Sequence, residues 1–146
     1  MAERTTRGGR RRRSGQAVVE FALILPVFVL LVFAALEFGR AYYALHLLTN
    51  ASREGARTGS LPNTLEADVT TRVSDFLGDV GLGGSWSSTV SVTASDGTTK
   101  SGLADATEGD RVEVAVTYNF TVLCGSILPG FSGTVPLTAR CTFRHE

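Results

Sequence analysis

The residue whose type least suits its surroundings is Glu20, a carboxylate in the run 17–36 (AVVEFALILPVFVLLVFAAL), eighteen of whose twenty residues are apolar. In hydrocarbon an ionised side chain costs about 2–3 kcal/mol even on the mildest scale, so it is kept where it has a partner or a task. Glu20 is also the fifth residue after Gly15, and Gly15 closes a basic stretch that holds Arg10, Arg11, Arg12 and Arg13. Pro26, in the same run, has no N–H to donate and should kink a helix formed there.

The other reactive side chains are sparse. Two cysteines and two histidines, Cys124, Cys141, His46 and His145, are too few and too scattered for a zinc finger, a metalloprotease helix or a disulfide-dense scaffold. Asp105, Glu108 and Asp110 cluster in the stretch 96–110 but lack the spacing of a calcium loop, so a solvated loop is the better reading. Asn50-Ala51-Ser52 and Asn119-Phe120-Thr121 fit the glycosylation sequon, a pattern frequent by chance. No nucleophile with a partnered base is visible, and no metal set. The expectation is a protein that is not an enzyme, with no cofactor and no metal.

The elements that must position Glu20 follow from charge and hydropathy. The chain has 146 residues and no formal net charge, but residues 1–15 hold six arginines against one acid, a net +5, leaving −5 for the rest. This Gly-rich, basic stretch has no apolar periodicity and reads as a disordered leader. A nucleic-acid arm is the alternative for Arg10 to Arg13, but no aromatic is interleaved and the apolar run begins within four residues, so a role in topology fits better and no nucleic-acid partner is expected. The run 17–36 is long enough to cross about 30 Å of hydrocarbon as a helix. Arg40, Arg53 and Arg57 on its far side are fewer and more dilute, so the orientation should be N-in, C-out.

Helical spacing continues past the span, with Ala41, Leu45, Leu48, Ser52 and Gly55 forming a narrow face of small and aliphatic residues. One helix over 16–58 is therefore expected, half in lipid and half outside it, ended by Gly59 and Pro62. Glu37 and Arg40, three apart, read as an interfacial pair, and His46 as a helix-surface or packing residue. Residues 59–146 should form a small α+β domain outside the cytoplasm. Within it, 64–80 is an amphipathic helix with Leu65, Val69, Val73, Phe76 and Leu77 on one side. Trp86, Ser88, Val90, Val92 and Ala94 alternate as a first strand, followed by the turn signal Asp96-Gly97. The clearest alternation is 112–122, with Val112, Val114, Val116, Tyr118, Phe120 and Val122 on one face of a half-buried antiparallel strand. A last strand places Val135, Leu137, Ala139, Cys141 and Phe143 together, and Pro136 near its start argues that it lies at an edge or begins irregularly.

The cysteines admit two readings. If the last two strands form a hairpin with aligned apolar faces, Cys124 pairs near residue 135 and Cys141 lies opposite 116–120, too far along to be bridged. Export to an oxidising compartment argues for a Cys124–Cys141 disulfide. Both stand at the level of sequence.

Gly15-Gln16-Ala17-Val18-Val19-Glu20-Phe21 resembles the processing site of type IV prepilins. With Val-Glu-Phe-Ala-Leu at 19–23, Pro26, Glu37-Phe38-Gly39-Arg40 and Arg53-Glu54-Gly55-Ala56-Arg57, the similarity narrows to the TadE-like pseudopilins of tight-adherence (Flp) pilus systems, and it spans roughly 13–57. The resemblance implies cleavage by a membrane-embedded prepilin peptidase between Gly15 and Gln16, leaving Glu20 as the fifth mature residue. It further implies assembly through Glu20, Phe21 and the Pro26 helix with other pilins or pseudopilins and a pilus assembly platform. The expected place is the cytoplasmic membrane, single-pass, with incorporation into a surface pilus as a further step. A plain signal anchor carrying an extracytoplasmic binding module that does not assemble is the competing reading of the same residues.

Overall fold

The computed structural model describes residues 11–82, 84–123 and 133–146, with side chains from Gly15 onward. Arg10 and Cys124 lie outside the described residues, as do the side chains of Arg11, Arg12 and Arg13. The chain is α+β: a long apolar amino-terminal helix and a four-stranded antiparallel sheet. It divides into two compact units, one ending at Phe38 and the other beginning at Gly39.

Helix α1 runs Arg11–Gly59, beginning five residues before Gln16 and containing Pro26 within its length. In the first unit every described side chain from Gly15 to Leu36 is exposed, including Val18, Phe21, Leu23 and Phe28. A helix apolar all round has no polar face to give to water, and this one is long and apolar enough to cross a membrane.

In the second unit α1 changes character. Ala44, Leu47, Leu48, Ala51, Ser52, Gly55, Ala56 and Gly59 are buried. This is broader than the face read from sequence and rotated from it: Leu48, Ser52 and Gly55 belong to it, whereas Leu45 is exposed and Ala41 only half-buried. Both stripes obey helical spacing, and the one built on Ala44, Leu47, Leu48 and Ala51 is the one that is buried. Gly55 and Gly59 form a notch in it. A Cβ on Gly55 would stand 2.8 Å from Val73 Cγ2 and 3.2 Å from Val114 Cγ1, and one on Gly59 would stand 3.1 Å from Val112 Cγ1. The missing side chains are what bring the helix against the sheet and the second helix.

That second helix, α2, spans Glu66–Asp79 and buries Val69, Val73 and Leu77, as its periodicity predicts. Leu65 precedes it and is exposed, not part of the buried side; its N–H donates to Asp68 Oδ2 at 3.0 Å, which closes the first turn. Gly81, at φ 70°, ends the helix, with the Leu82 N–H donating to the Leu77 carbonyl.

The sheet has the order β2-β1-β3-β4. Strand β1 is Trp86–Thr93, β2 Thr99–Lys100, β3 Arg111–Thr121 and β4 Thr134–Arg144. Asp96-Gly97 turns the chain from β1 into β2: Gly97 has φ 90°, and Asp96 Oδ1 accepts from the Thr98 N–H and hydroxyl. Strand β2 and the short 3-10 helix Leu103–Asp105 occupy a stretch that reads as loop, and Leu103 is buried in the core. One leucine among polar residues gives no periodicity to find.

Strand β3 is central, and Val112, Val114 and Val116 are fully buried under the helices. Pairing with β4 is antiparallel from Arg111↔Arg144 to Thr121↔Thr134, so Pro136 does lie in an edge strand. Cys141 sits opposite Val114, two residues beyond the expected 116–120 window, because the period-2 alternation fixes which face a residue takes and not how far the strand slides. It is a half-buried free thiol.

Candidate functional site

The sequence-selected residues of the first unit lie along one helix. Gln16 and Glu20, four residues apart, share a helix face. Both are exposed, as are Phe21 and Pro26. An added Cβ at Gly15 would meet nothing within 4 Å, so this turn of α1 has open space at the Gly15 position. Pro26 cannot donate to the carbonyl of Ala22, which leaves that acceptor to a partner from outside the helix. Glu20 is what this face offers chemically: an exposed acceptor of charge-assisted hydrogen bonds.

The motif residues 53–57 do something different. Glu54 Oε1 accepts from Arg72 Nε at 3.0 Å and Nη2 at 2.7 Å, tying α1 to α2. Gly55 and Ala56 are buried, whereas Arg53 and Arg57 face solvent. The stretch thus fastens the helix to its domain, a role that its sequence pattern does not announce.

Arg40 lies over the ring of Phe120, its guanidinium carbon 5.1 Å from the ring centroid. Next to it opens a cavity of about 140 Å³ lined by Arg40, Tyr43, Ala44, Leu82, Tyr118 and Phe120. His46 is exposed and meets Tyr42 edge-on, with ring centroids 4.4 Å apart, which agrees with a helix-surface role.

The acidic cluster is not a solvated loop throughout. Asp105 and Glu108 are exposed, but Asp110 is buried and its Oδ2 accepts from Lys100 Nζ at 2.6 Å, from the Thr107 N–H at 2.7 Å and from the Thr107 hydroxyl at 2.9 Å. These donors, Lys100 first, hold the Asp110 carboxyl down to about 2, so it stays ionised well below the usual carboxylate range. The same corner closes the domain. The His145 N–H donates to the Asp110 carbonyl at 2.8 Å and the Glu146 N–H to the Ser60 carbonyl at 2.9 Å, while the buried His145 ring lies 3.3 Å from the Gly59 carbonyl. His145 carries no sequence pattern that would mark it. Among the described residues no group of three or more His, Cys, Asp or Glu side chains is placed to hold a metal ion.

Residues 15–57 match the family model of TadE-like proteins. The matched stretch starts at the glycine before the apolar run and ends one residue past the buried Gly55-Ala56 pair, so it takes in both the exposed and the domain-packed parts of α1. No curated protein and no solved structure matches the chain.

Proposed function

We propose that the TadE-like stretch makes this chain a minor or initiating pseudopilin of a tight-adherence (Flp-type) pilus or a related secretion machine. The observation that carries the reading is that the matched residues begin at Gly15, directly before a wholly exposed apolar helix bearing Glu20. The basic leader stays on the cytoplasmic side, a prepilin peptidase cuts after Gly15, and the chain stands N-in, C-out. The cut creates an ammonium at Gln16. Glu20 of one subunit then pairs with the Gln16 ammonium of a neighbour, and the pair offsets the cost of holding either charge in lipid. Cleavage thereby becomes a condition of assembly through the helix.

In cells with an active prepilin peptidase, mass spectrometry of the membrane fraction should find a mature chain that begins at Gln16. A Gly15→Trp variant should insert equally well and stay uncut, because the indole occupies the space a protease needs beside the bond. An intact amino terminus in the unaltered chain would overturn the reading in favour of an anchored binding module.

A further inference from the structure

The two ends of the second unit differ in composition. Its part of α1 runs antiparallel to β3: Arg40 lies at Phe120, the Gly55 position at Val114 and the Gly59 position at Val112. Among the described residues, the exposed large side chains at the Phe120 end include Tyr42 and Tyr43, at 62% and 60%, with Leu123 at 63% and Val135 at 37%. At the opposite end charges predominate, with Asp96 in the β1–β2 turn, Glu108, Arg111 and Arg144 all exposed around Leu61 and Phe143. Leu123 follows a strand that ends beside Arg40.

Arg40 comes four residues after Leu36, the last residue of the apolar run, and four residues of chain reach at most about 14 Å. If 17–36 spans the bilayer, that tether keeps Arg40, and the Phe120 ring beneath it, within reach of the lipid surface. The composition of the Phe120 end suits that place. Tyrosine belongs at the headgroup level, with its ring toward hydrocarbon and its hydroxyl in water, and arginine can lay its stem on apolar surface while the guanidinium meets lipid phosphate.

We propose that this end of the sheet domain, through Arg40, Tyr43 and Leu123, is seated on the lipid surface. The inference rests on the membrane-spanning reading of 17–36, but not on cleavage or assembly. Leu123 enters the boundary between headgroups and acyl chains, and the end with Asp96 points into water. The bilayer then fixes the domain's orientation, and α1 does not act alone as a stalk.

The test uses the full chain in phosphatidylcholine vesicles whose acyl chains are brominated near the headgroup. Trp86 is the chain's one tryptophan, so added tryptophans are read as differences from the unaltered protein. Leu123→Trp should lose about half its added emission to the bromines, as expected for a side chain about 5–10 Å into the boundary, and Ser95→Trp in the far turn should lose almost none. Phe28→Trp, within the span, should be quenched as well. Quenching at Phe28 with Leu123 as bright as Ser95 would overturn the seating while leaving the span intact, and would point to protein as the cover for Leu123. No quenching at any of the three would overturn both readings.

Discussion

Val116→Asp should unfold the sheet domain, whereas Thr117→Asp, one residue along the same strand, should leave it standing. Val116 is fully buried in the central strand, on the face that Val112 and Val114 present to the helices. A carboxylate there has no donor within the apolar layer, so burying it costs several kcal/mol, a large share of the stability of a domain this size. Thr117 points to the other face, where its hydroxyl shares a hydrogen bond of 2.9 Å with Thr138 on β4. Losing that bond should cost about 1 kcal/mol. Urea denaturation of the full chain in detergent, followed by proteolysis, reads both. Full-length protein is needed because Leu48, Ala51 and Ala56 of α1 form one wall of the core, and a fragment starting at Gly59 would lack it. Equal sensitivity of the two variants, beside a stable parent, would mean that the faces of β3 are wrongly assigned.

Glu20→Leu should separate anchoring from assembly. Replacing the carboxylate removes a charge worth about 2–3 kcal/mol of insertion cost, so the amount of protein in the membrane should hold steady or rise. On the proposed pairing, filament yield in the sheared surface fraction should fall by about ten- to a hundredfold, because a neighbour's ammonium would be left without its counter-charge in lipid. Glu20→Gln, which keeps the acceptor but not the charge, should fall between the two. An unchanged yield from Glu20→Leu would remove the carboxylate from the assembly step.

Much of this architecture is legible in the residues because the strong signals are local. The apolar run 17–36, the 3.6-residue stripe of α2 and the period-2 alternation of β3 each report their own surroundings, and all three occur where the patterns put them. The edge strand is legible for the same reason: Pro136 lacks an N–H for a central ladder, and β4 lies at the edge. What is not legible depends on residues far apart in the chain. Nothing in the sequence announces that the His145 ring will return to the Gly59 carbonyl at the end of α1, 86 residues away, and even the convergence of the nearby Lys100 and Thr107 on Asp110 follows no recognised motif. Gly55 reads as a small residue on a helix face, and only the approach of Val73 and Val114 turns it into a contact where a methyl does not fit. The register of β4 departs from the expected one for a related reason, since the alternation fixes which face a residue takes but not how far the strand slides.

The glycine notch also sets an order of events. Gly55 packs at Val114, which follows it by 59 residues, so the helix wall of the core is synthesised long before the strand that seals it. Contacts of that separation close late and slowly compared with a helix turn or a hairpin. During that interval the second unit's part of α1 presents an apolar, side-chain-poor stripe, with only α2 near enough in sequence to shield it. A chain stalled before Val112 would therefore leave that helix face bare, and the core closes only when the third strand docks.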